Sequence, residues 1–432
     1  GDMRDKKIKV KSKWRAADKG RHLKRCRHRT RFIIELCICI VIAMMITVFL
    51  NTETGIAAEQ IGNEPGTLAG DAASDQADGM TDDLLGELQT DDLDAFLQEQ
   101  SDETDLDISF LQLLQNLLHG DAKPDGQTVW NWLVNHCFGV VHTNRGYLVQ
   151  MLVLLLAFAM LQGITGIFSN AFLSDMSFLA VYFLFLYNAL RVFASMQEVT
   201  YRCLDRITEF TMLIQPVFCM AMVFSSGVNS ASLTYEILLL VLYLVQNLLQ
   251  KVLFPLVFIY LVTQFANYTW KEEHFSSMAH LLESGVLCAQ KILIAFVLGL
   301  NLIQGLIAPA VDQLRRSAAV RTIGVIPGLG GAMNSVSELL LGTGILIKNS
   351  VGATAVVVLV LLCAKPLLEI AVLTLVYRIL AAVSEPVTDK RISGVLDALA
   401  KTGLLYAKLV VTAILMLFLS VTVVCMATGA GV

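Results

Sequence analysis

The sequence GLLYAKLVVTAILMLFLSVTVVCMA occupies residues 403–427 and decides the class of protein to which the chain belongs. Its 25 residues include one charged side chain, Lys408. An α-helix rises about 1.5 Å per residue, so roughly 20 apolar residues cross the ~30 Å hydrocarbon core of a bilayer. This stretch is therefore long and apolar enough to be a membrane helix.

Eight further apolar runs precede it, at 147–168, 177–195, 210–225, 233–250, 252–268, 285–308, 352–364 and 367–382. The whole chain is 55% hydrophobic and 16% charged, whereas ordinary soluble proteins are roughly 25% charged. Residues 126–432 carry only 17 bases and 14 acids, too few to solvate a surface of that size. We therefore predict an all-α, polytopic membrane protein whose multi-helix membrane domain covers 147–432.

Charge is strongly segregated before the membrane domain. Residues 1–31 hold 14 Lys and Arg residues, whereas residues 51–125 hold 19 acids and a single base. Positive charge favours the cytoplasm, so we predict a basic cytoplasmic arm at 1–31 and an acidic, partly disordered extracytoplasmic segment at 51–146. The apolar residues 32–50 between them are either a signal peptide or a membrane anchor.

Leucines in the acidic segment recur at helical spacing, in one group from Leu84 to Leu88 and a second from Leu111 to Leu118. This spacing predicts one or two short amphipathic helices. Two interpretations stay open for them. They are either a docking site for a partner or a solvated acidic spacer.

Amphipathic stretches separate several of the apolar runs. At 196–210, 272–284 and 389–401, apolar side chains recur every three to five residues among charged ones. This pattern predicts helices that lie in the membrane interface, each following one run and leading into the next.

The glycine-rich residues 323–348 predict an interrupted, re-entrant-like segment, because irregular backbone in a membrane is tolerated only where protein or water satisfies it. The basic connections at 312–321 and 385–401 both favour the cytoplasm. Both can lie there if 352–364 and 367–382 are two crossings and 323–348 enters the membrane and returns.

Ionisable side chains are rare in the apolar runs, where each costs at least about 2.5 kcal/mol near a helix centre. Such groups usually line a pathway or pair with one another. Lys365 and Glu369 are four residues apart and share a helix face, so they can pair. The candidate pathway or structural residues are Lys291, Gln304, Pro327, Gly328, Gly330, Glu338, Gly344, Lys348, Asn349, Lys365 and Glu369.

Motifs for enzymes and cofactors are missing from the sequence. It contains no GxxxxGK[ST], HExxH or GxSxG, and no Cys or His spacing suited to a metal. We expect no enzymatic activity, cofactor or nucleic-acid partner. An intramembrane enzyme has little support, which leaves a permease-like or export-gate subunit and a non-transporting membrane scaffold as the two functions to compare.

Short motifs occur in a characteristic order from about residue 110 to 428. They are Ser225-Ser226-Gly227, Gln246-Asn247 with Pro255, Gln304-Gly305 with Asp312, Arg321-Thr322 before VIPGLG at 325–330, LIKNSVG at 346–352, Lys365-Pro366, Tyr377, Pro386 and Leu396-Asp397. In this order they resemble the stage III sporulation protein AE family of endospore-forming bacteria. The basic arm at 1–31 departs from the family, which typically begins with a short signal peptide.

The resemblance implies a membrane subunit of the machine that connects mother cell and forespore after engulfment, located in the mother-cell membrane around the forespore. It also implies partners: other stage III sporulation proteins, including a cytoplasmic secretion-type ATPase and a ring-forming transenvelope channel. No catalytic residue is implied. The permease-like role is the leading hypothesis, and a scaffold that assembles partner proteins is the alternative.

Overall fold

The structure is a computed structural model, and it describes residues 88, 90–104, 109–118, 126–165, 171–226, 228–269, 275–323, 330–386 and 388–429. Nearly all of these residues are α-helical, and none of them lies in a β-strand. The predicted basic arm at 1–31, the apolar segment at 32–50 and residues 51–87 of the acidic segment lie outside the described residues.

Two short helices, the first acidic and the second amphipathic, begin the described chain, and longer apolar helices follow. A five-residue π-helical stretch, Leu249–Leu253, joins two of them without a break. In chain order the helices are α1 (Asp91–Thr104), α2 (Phe110–Leu118), α3 (Gly126–Thr143), α4 (Arg145–Thr165), α5 (Ala171–Ser226), α6 (Val228–Leu248), α7 (Phe254–Thr269), α8 (Ser276–Ile323), α9 (Gly330–Ser384) and α10 (Lys390–Gly429).

Several of these helices are long and apolar enough to cross a membrane. Within the described residues there are five such segments, and a sixth candidate is the pair Val134–Thr143 and Arg145–Met160, which is bent by 58° at Asn144. The five are Leu179–Phe224, Glu236–Thr269, Ser276–Leu300, Gly342–Ser384 and Lys390–Thr422. The predicted all-α, polytopic membrane fold is therefore confirmed.

Contacts at the two ends of the bundle show that successive long helices run antiparallel. At one end, the hydroxyls of Tyr182 in α5 and Thr269 in α7 lie 3.2 Å apart and share a hydrogen bond. At the other end, Lys348 of α9 donates to the Cys425 carbonyl of α10 over 3.2 Å. We call the end of the bundle with the Tyr182–Thr269 contact the near end. It also holds the start of α8, the end of α9 and the start of α10. The end with the Lys348–Cys425 contact is the far end.

Aromatic rings form a layer about halfway between the two ends. Tyr406 of α10 lies 5.8 Å from Phe193 of α5 and 5.2 Å from Phe254 of α7, measured between ring centroids. Tyr201 meets Phe254 edge-on at 5.6 Å. Because α10 also contacts α8 and α9, it is the helix around which the others pack.

Hydroxyl groups inside the bundle bond to their own helices. Thr200, Thr354, Thr374 and Thr402 each donate to the carbonyl four residues earlier, over 2.6–2.8 Å. Each hydroxyl is satisfied without water in this way, and so it can be buried in an apolar bundle.

The predicted pair of crossings at 352–364 and 367–382 is wrong. Both runs belong to one helix, α9, with Pro366 inside it. Proline removes one helical hydrogen bond, but neighbouring helices hold a membrane helix together around it, and Pro366 is buried. A continuous helix cannot turn back, so these two runs are not a pair of crossings. The predicted basic connection at 312–321 is itself part of helix α8. Residues 330–348 of the predicted re-entrant segment are also part of α9, while 324–329 lie outside the described residues.

The three predicted interfacial stretches are helical, but they are not separate elements. Residues 196–210 form the middle of α5, 276–284 the start of α8 and 390–401 the start of α10. In the third stretch Ile392, Val395 and Leu396 are completely buried. Its apolar face therefore packs against the bundle, and the helix continues into the apolar run without a break.

The two acidic-segment helices are docked on the long helices. Leu93 and Leu97 of α1 and Phe110 and Leu114 of α2 are almost completely buried, and both helices contact α9. The Asp94 carboxylate accepts hydrogen bonds from the Phe110 backbone N–H over 2.6 Å and from the Ser109 hydroxyl over 3.2 Å. A carboxylate at a helix N-terminus is stabilising. The apolar faces of both helices are therefore covered within the chain, and Asp91 and Asp92 of α1 are exposed.

The packing of α5 against α9 can be tested through two buried thiols, because Cys203 and Cys363 form a hydrogen bond between these helices. We expect mild oxidation in membranes to join them by a disulfide. After cleavage at a protease site inserted at 270–274, the two fragments should then migrate together on a denaturing gel until the disulfide is reduced. Cys288→Ser should leave the link intact and Cys203→Ser should abolish it. Fragments that separate without reductant would contradict this packing.

Candidate functional site

A polar cluster lies halfway along the bundle, around the Glu369 carboxylate of α9. The Asn144 side chain hydrogen-bonds this carboxylate. Arg202 of α5 and Lys365, one turn earlier in α9, interact favourably with its charge. The cluster therefore links α5, α9 and the junction between α3 and α4 through groups of both signs. We call it the Glu369 cluster.

The local sequence explains how Asn144 reaches this position. Its backbone N–H and its side-chain Nδ2 both bond to the Val140 carbonyl, each over 3.0 Å. Asparagine side chains compete for backbone groups in this way and favour helix ends. The helix bends by 58° at Asn144, and the residue is 5% exposed, so the bend brings a polar side chain into the bundle interior.

A second cluster lies close to the near end and is centred on Asp397 of α10. Its Oδ2 is 3.0 Å from Lys401 Nζ, and its Oδ1 is 3.6 Å from Arg378 Nη1 of α9. Glu283 of α8 and the buried Tyr260 of α7 interact with the same groups. Two cations and two anions from three helices meet there, so the charges balance. We call this group the Asp397 cluster.

Lys348 is the third polar feature of the interior. Its side chain is completely buried, and Nζ donates to the Cys425 carbonyl of α10 over 3.2 Å. A buried cation needs such a partner, because an unpaired charge in an apolar interior is very unfavourable.

The structure separates the ionisable residues that the sequence singled out. Lys365 and Glu369 lie together, as their spacing predicts. Lys348 is buried nearer the far end. Lys291 and Asn349 are exposed, on α8 and α9 respectively, so neither is part of the Glu369 cluster.

The remaining candidates are less fully described. Gly344 is buried within α9. Gln304 belongs to α8, and Gly330 and Glu338 belong to α9, but the side chains of Gln304 and Glu338 lie outside the described part of the chain, as do Pro327 and Gly328 entirely.

Sequence reasoning missed the partners that complete the clusters. Asn144 carries no charge, and Arg202 and Asp397 lie in stretches predicted to be interfacial. The spacing of Asp397 and Lys401, four residues apart on one helix face, was the signal that could have found that pair. Among the described residues, no group of three or more His, Cys, Asp or Glu side chains is arranged to hold a metal ion.

All three polar features lie between residues 144 and 425. A comparison with protein-family models matches residues 108–428 to the family described as Stage III sporulation protein AE. The chain belongs to the stage III sporulation protein AE family. The Glu369 cluster, the Asp397 cluster and Lys348 are thus part of the region that corresponds to the family.

A relative within the stage III sporulation protein AE family supports this assignment. The stage III sporulation protein AE of Bacillus subtilis (strain 168) is 25% identical over 313 residues, which cover 72% of this chain and 78% of the relative. No solved structure matches the chain. Together with the five segments of the described chain that are long and apolar enough to cross a membrane, the match indicates a multi-pass membrane protein of a sporulation family and confirms the resemblance inferred from the sequence motifs.

Proposed function

We propose that the protein is a membrane subunit of the transenvelope complex between mother cell and forespore, and that it forms a permease-like or export-gate part of that complex. In this proposal it lies in the mother-cell membrane that surrounds the forespore. Membership of the stage III sporulation protein AE family and the multi-pass helical fold support this role.

The observation that carries the permease-like role is the Glu369 cluster. Ionisable groups inside a helical membrane bundle are expensive, and they are typical of substrate or ion pathways. Glu369 takes its partners from α5 and from the bend between α3 and α4, as well as from its own helix. Moving any of these elements breaks a hydrogen bond or a charge interaction. A cluster of this kind suits a protein whose helices shift as cargo passes.

The partners and the source of energy are also part of the proposal. We propose that the protein works with other stage III sporulation proteins, including a cytoplasmic ATPase and a transenvelope channel. The ATPase would supply the energy and the channel would receive the cargo. The protein itself would then need neither a catalytic residue nor a cofactor.

Glu369→Gln tests the pathway role. The substitution keeps the size of the side chain and removes its charge, and with it charge-assisted interactions of about 1.5–3 kcal/mol. We expect sporulation to fail while the amount of protein and its assembly with partners stay normal. Lys291→Met is the control, because it removes a cation exposed on α8, and we expect it to sporulate nearly normally.

The same two variants distinguish transport from scaffolding. Normal sporulation of Glu369→Gln would contradict a pathway through this cluster. Loss of partner recovery together with loss of sporulation would favour a scaffold. Protein level should be measured in the same cells, because disappearance of the variant would show that Glu369 is needed for folding.

A further inference from the structure

The outer face of α8 is the least covered surface among the candidate spans of the described chain. Only 22% of the apolar window of Ser276–Leu300 is buried, against 44–61% in the other four spans. Large side chains on this face are apolar, and they include Leu281, which is 71% exposed, and Ile292, which is 62% exposed. Lipid covers many faces of this kind, but two features of this one indicate that another helix covers it.

The first feature is a cation on the apolar face. Lys291 lies six residues after the start of the apolar run 285–308 and is exposed. None of the salt bridges formed among the described residues includes it. A lysine within an apolar span is unfavourable in lipid, and such groups usually pair with an opposite charge. An acidic side chain on a neighbouring membrane helix would provide that pair.

The second feature is a pair of small residues that follow Lys291 at intervals of one helical turn. Ala295 and Gly299 come four and eight residues after it and lie on the same side of the helix. Ala295 is exposed, and among the described residues nothing lies within 4 Å of a Cβ added at Gly299. Small residues four apart let the backbones of two membrane helices approach closely. This part of α8 is therefore shaped to receive a helix.

The apolar segment 32–50 has the complementary pattern. It is long enough to cross a bilayer, and its one charged residue is the acid Glu35. Cys39 and Ala43 follow Glu35 by four and eight residues. The spacing of one charged and two small residues is thus the same as on α8, and the charge is opposite.

The two segments also agree in direction. The basic residues 1–31 favour the cytoplasm at the start of 32–50. The basic connection at 385–401 favours the cytoplasm at the near end, where α8 begins. Both helices then run outward from the cytoplasm, so they are parallel and their charged and small residues can align in the same order.

The depths of the two charges agree as well. Glu283 of α8 interacts with Lys401 of α10, and the apolar runs 285–308 and 403–427 both begin two residues later. The two runs therefore start at the same height, and Lys291 lies about 9 Å beyond it. Glu35 lies about 5 Å beyond the start of its own run, which is within reach of a long lysine side chain.

The chain that connects 32–50 to the bundle is long enough for this contact. Residues 51–87 span about 120 Å when fully extended, so they can reach α8 from α1, which packs on α5 and α9. A second copy of the chain is a poorer occupant. A two-fold interface made by this face of α8 would bring two Lys291 side chains together, and like charges repel.

We propose that residues 32–50 remain in the mature protein as a membrane helix that packs parallel to α8, with Glu35 beside Lys291. The segment is then an anchor and not a cleaved signal peptide. Either charge, left alone, can extend toward the membrane surface, so Lys291→Met alters this contact without stopping sporulation. The proposal is independent of what the protein transports.

Disulfide cross-linking in membranes tests the contact in the full chain. Ala295→Cys is combined with Cys203→Ser, Cys288→Ser and the protease site at 270–274. We expect mild oxidation to leave the two cleaved fragments joined on a denaturing gel until they are reduced, and Cys39→Ser to abolish the link. Uncleaved protein should remain monomeric on the same gel, which excludes a link between copies.

The native Cys288 is the matched control for orientation. It is exposed and lies three residues before Lys291, whereas Ala295 lies four residues after it. An antiparallel helix with Glu35 at Lys291 would bring Cys39 beside Cys288 instead. A chain that keeps Cys288 and Ala295 but carries Cys203→Ser should therefore stay unlinked.

Charge reversal tests the ion pair. Glu35→Lys should lower the yield of the cross-link at least about tenfold, because two cations would meet. Combining it with Lys291→Glu should restore the yield. If Ala295→Cys reduces the amount of protein, Ala43→Cys with Gly299→Cys in a Cys39→Ser background is a second pair at the same interface.

Four results would overturn the proposal. They are a link through Cys288 in place of residue 295, no link at either position, a yield that does not respond to charge reversal, and a purified protein whose intact mass shows that residues 32–50 have been removed.

Discussion

Replacing Gly403 with leucine is expected to abolish the recovery of folded protein. A Cβ at this position would overlap the Met196 side chain of α5 and the Thr374 hydroxyl of α9. Thr374 cannot easily turn away, because its hydroxyl donates to the Ile370 carbonyl over 2.6 Å. Gly403 is therefore a point where the backbone of α10 closely approaches two other helices at once.

The size of the effect follows from overpacking. Extra methylene groups in a packed core typically destabilise a protein by about 1–3 kcal/mol and sometimes more. Replacing a helical glycine by a better helix former stabilises it by at most about 1 kcal/mol. Leucine adds four carbons at a site where even one overlaps. Against a total stability of about 5–15 kcal/mol, we expect most of the protein to be lost from the monodisperse fraction after detergent extraction.

Gly299→Leu is the matched control, because among the described residues nothing lies within 4 Å of a Cβ added there. We expect its melting temperature to equal or slightly exceed that of the unsubstituted protein. Similar losses in both variants would show that α10 does not pack as closely as the structure indicates.

Lys348→Glu is expected to have the second largest effect. The new carboxylate would replace a completely buried ammonium group that donates to the Cys425 carbonyl, and it would face that oxygen with no donor of its own. A buried charge without compensation costs about 3–5 kcal/mol. There is no space for it to move, because a Cβ at Gly352, one turn later, would lie 2.8 Å from Cys425 Sγ.

Lys348→Met separates the structural role of this lysine from a functional one. Methionine is of similar length and uncharged, and volume-conserving changes usually cost less than about 1.5 kcal/mol. We expect the thermal stability of Lys348→Met to stay close to normal while Lys348→Glu fails to fold. Normal folding of Lys348→Glu would contradict the burial of this side chain. Loss of sporulation in a stable Lys348→Met protein would show that the charge itself is functional.

The apolar runs predicted the spans well because a membrane helix needs only length and low polarity, which are local properties. The prediction failed at Pro366. A proline between two runs suggests a break, but α10 and α5 pack against α9, and Cys203 of α5 contacts Cys363 three residues before the proline. Likewise, amphipathic stretches such as 390–401 suggest interfacial helices, and only the neighbouring helices show that their apolar faces are buried in the bundle.

The candidate site was predicted only in part. Lys365 and Glu369 could be paired from their spacing, because neighbours on one helix face are fixed by the helical repeat. Asn144, Arg202 and Asp397 could not be assigned to clusters, since their partners lie on other helices. Lys291 and Lys348 look alike in sequence, and one is exposed while the other is completely buried.

The sequence by itself determined that this is an all-α membrane protein of the stage III sporulation protein AE family, because hydrophobicity and motif order are carried along the chain. Only the tertiary structure decided that α5 and α9 are continuous helices longer than a bilayer, and which polar residues meet. The reason is physical: helical periodicity fixes contacts within a helix, whereas contacts between helices depend on how their surfaces pack. In this protein they depend on positions such as Gly403, where the absence of a side chain lets neighbouring helices approach closely.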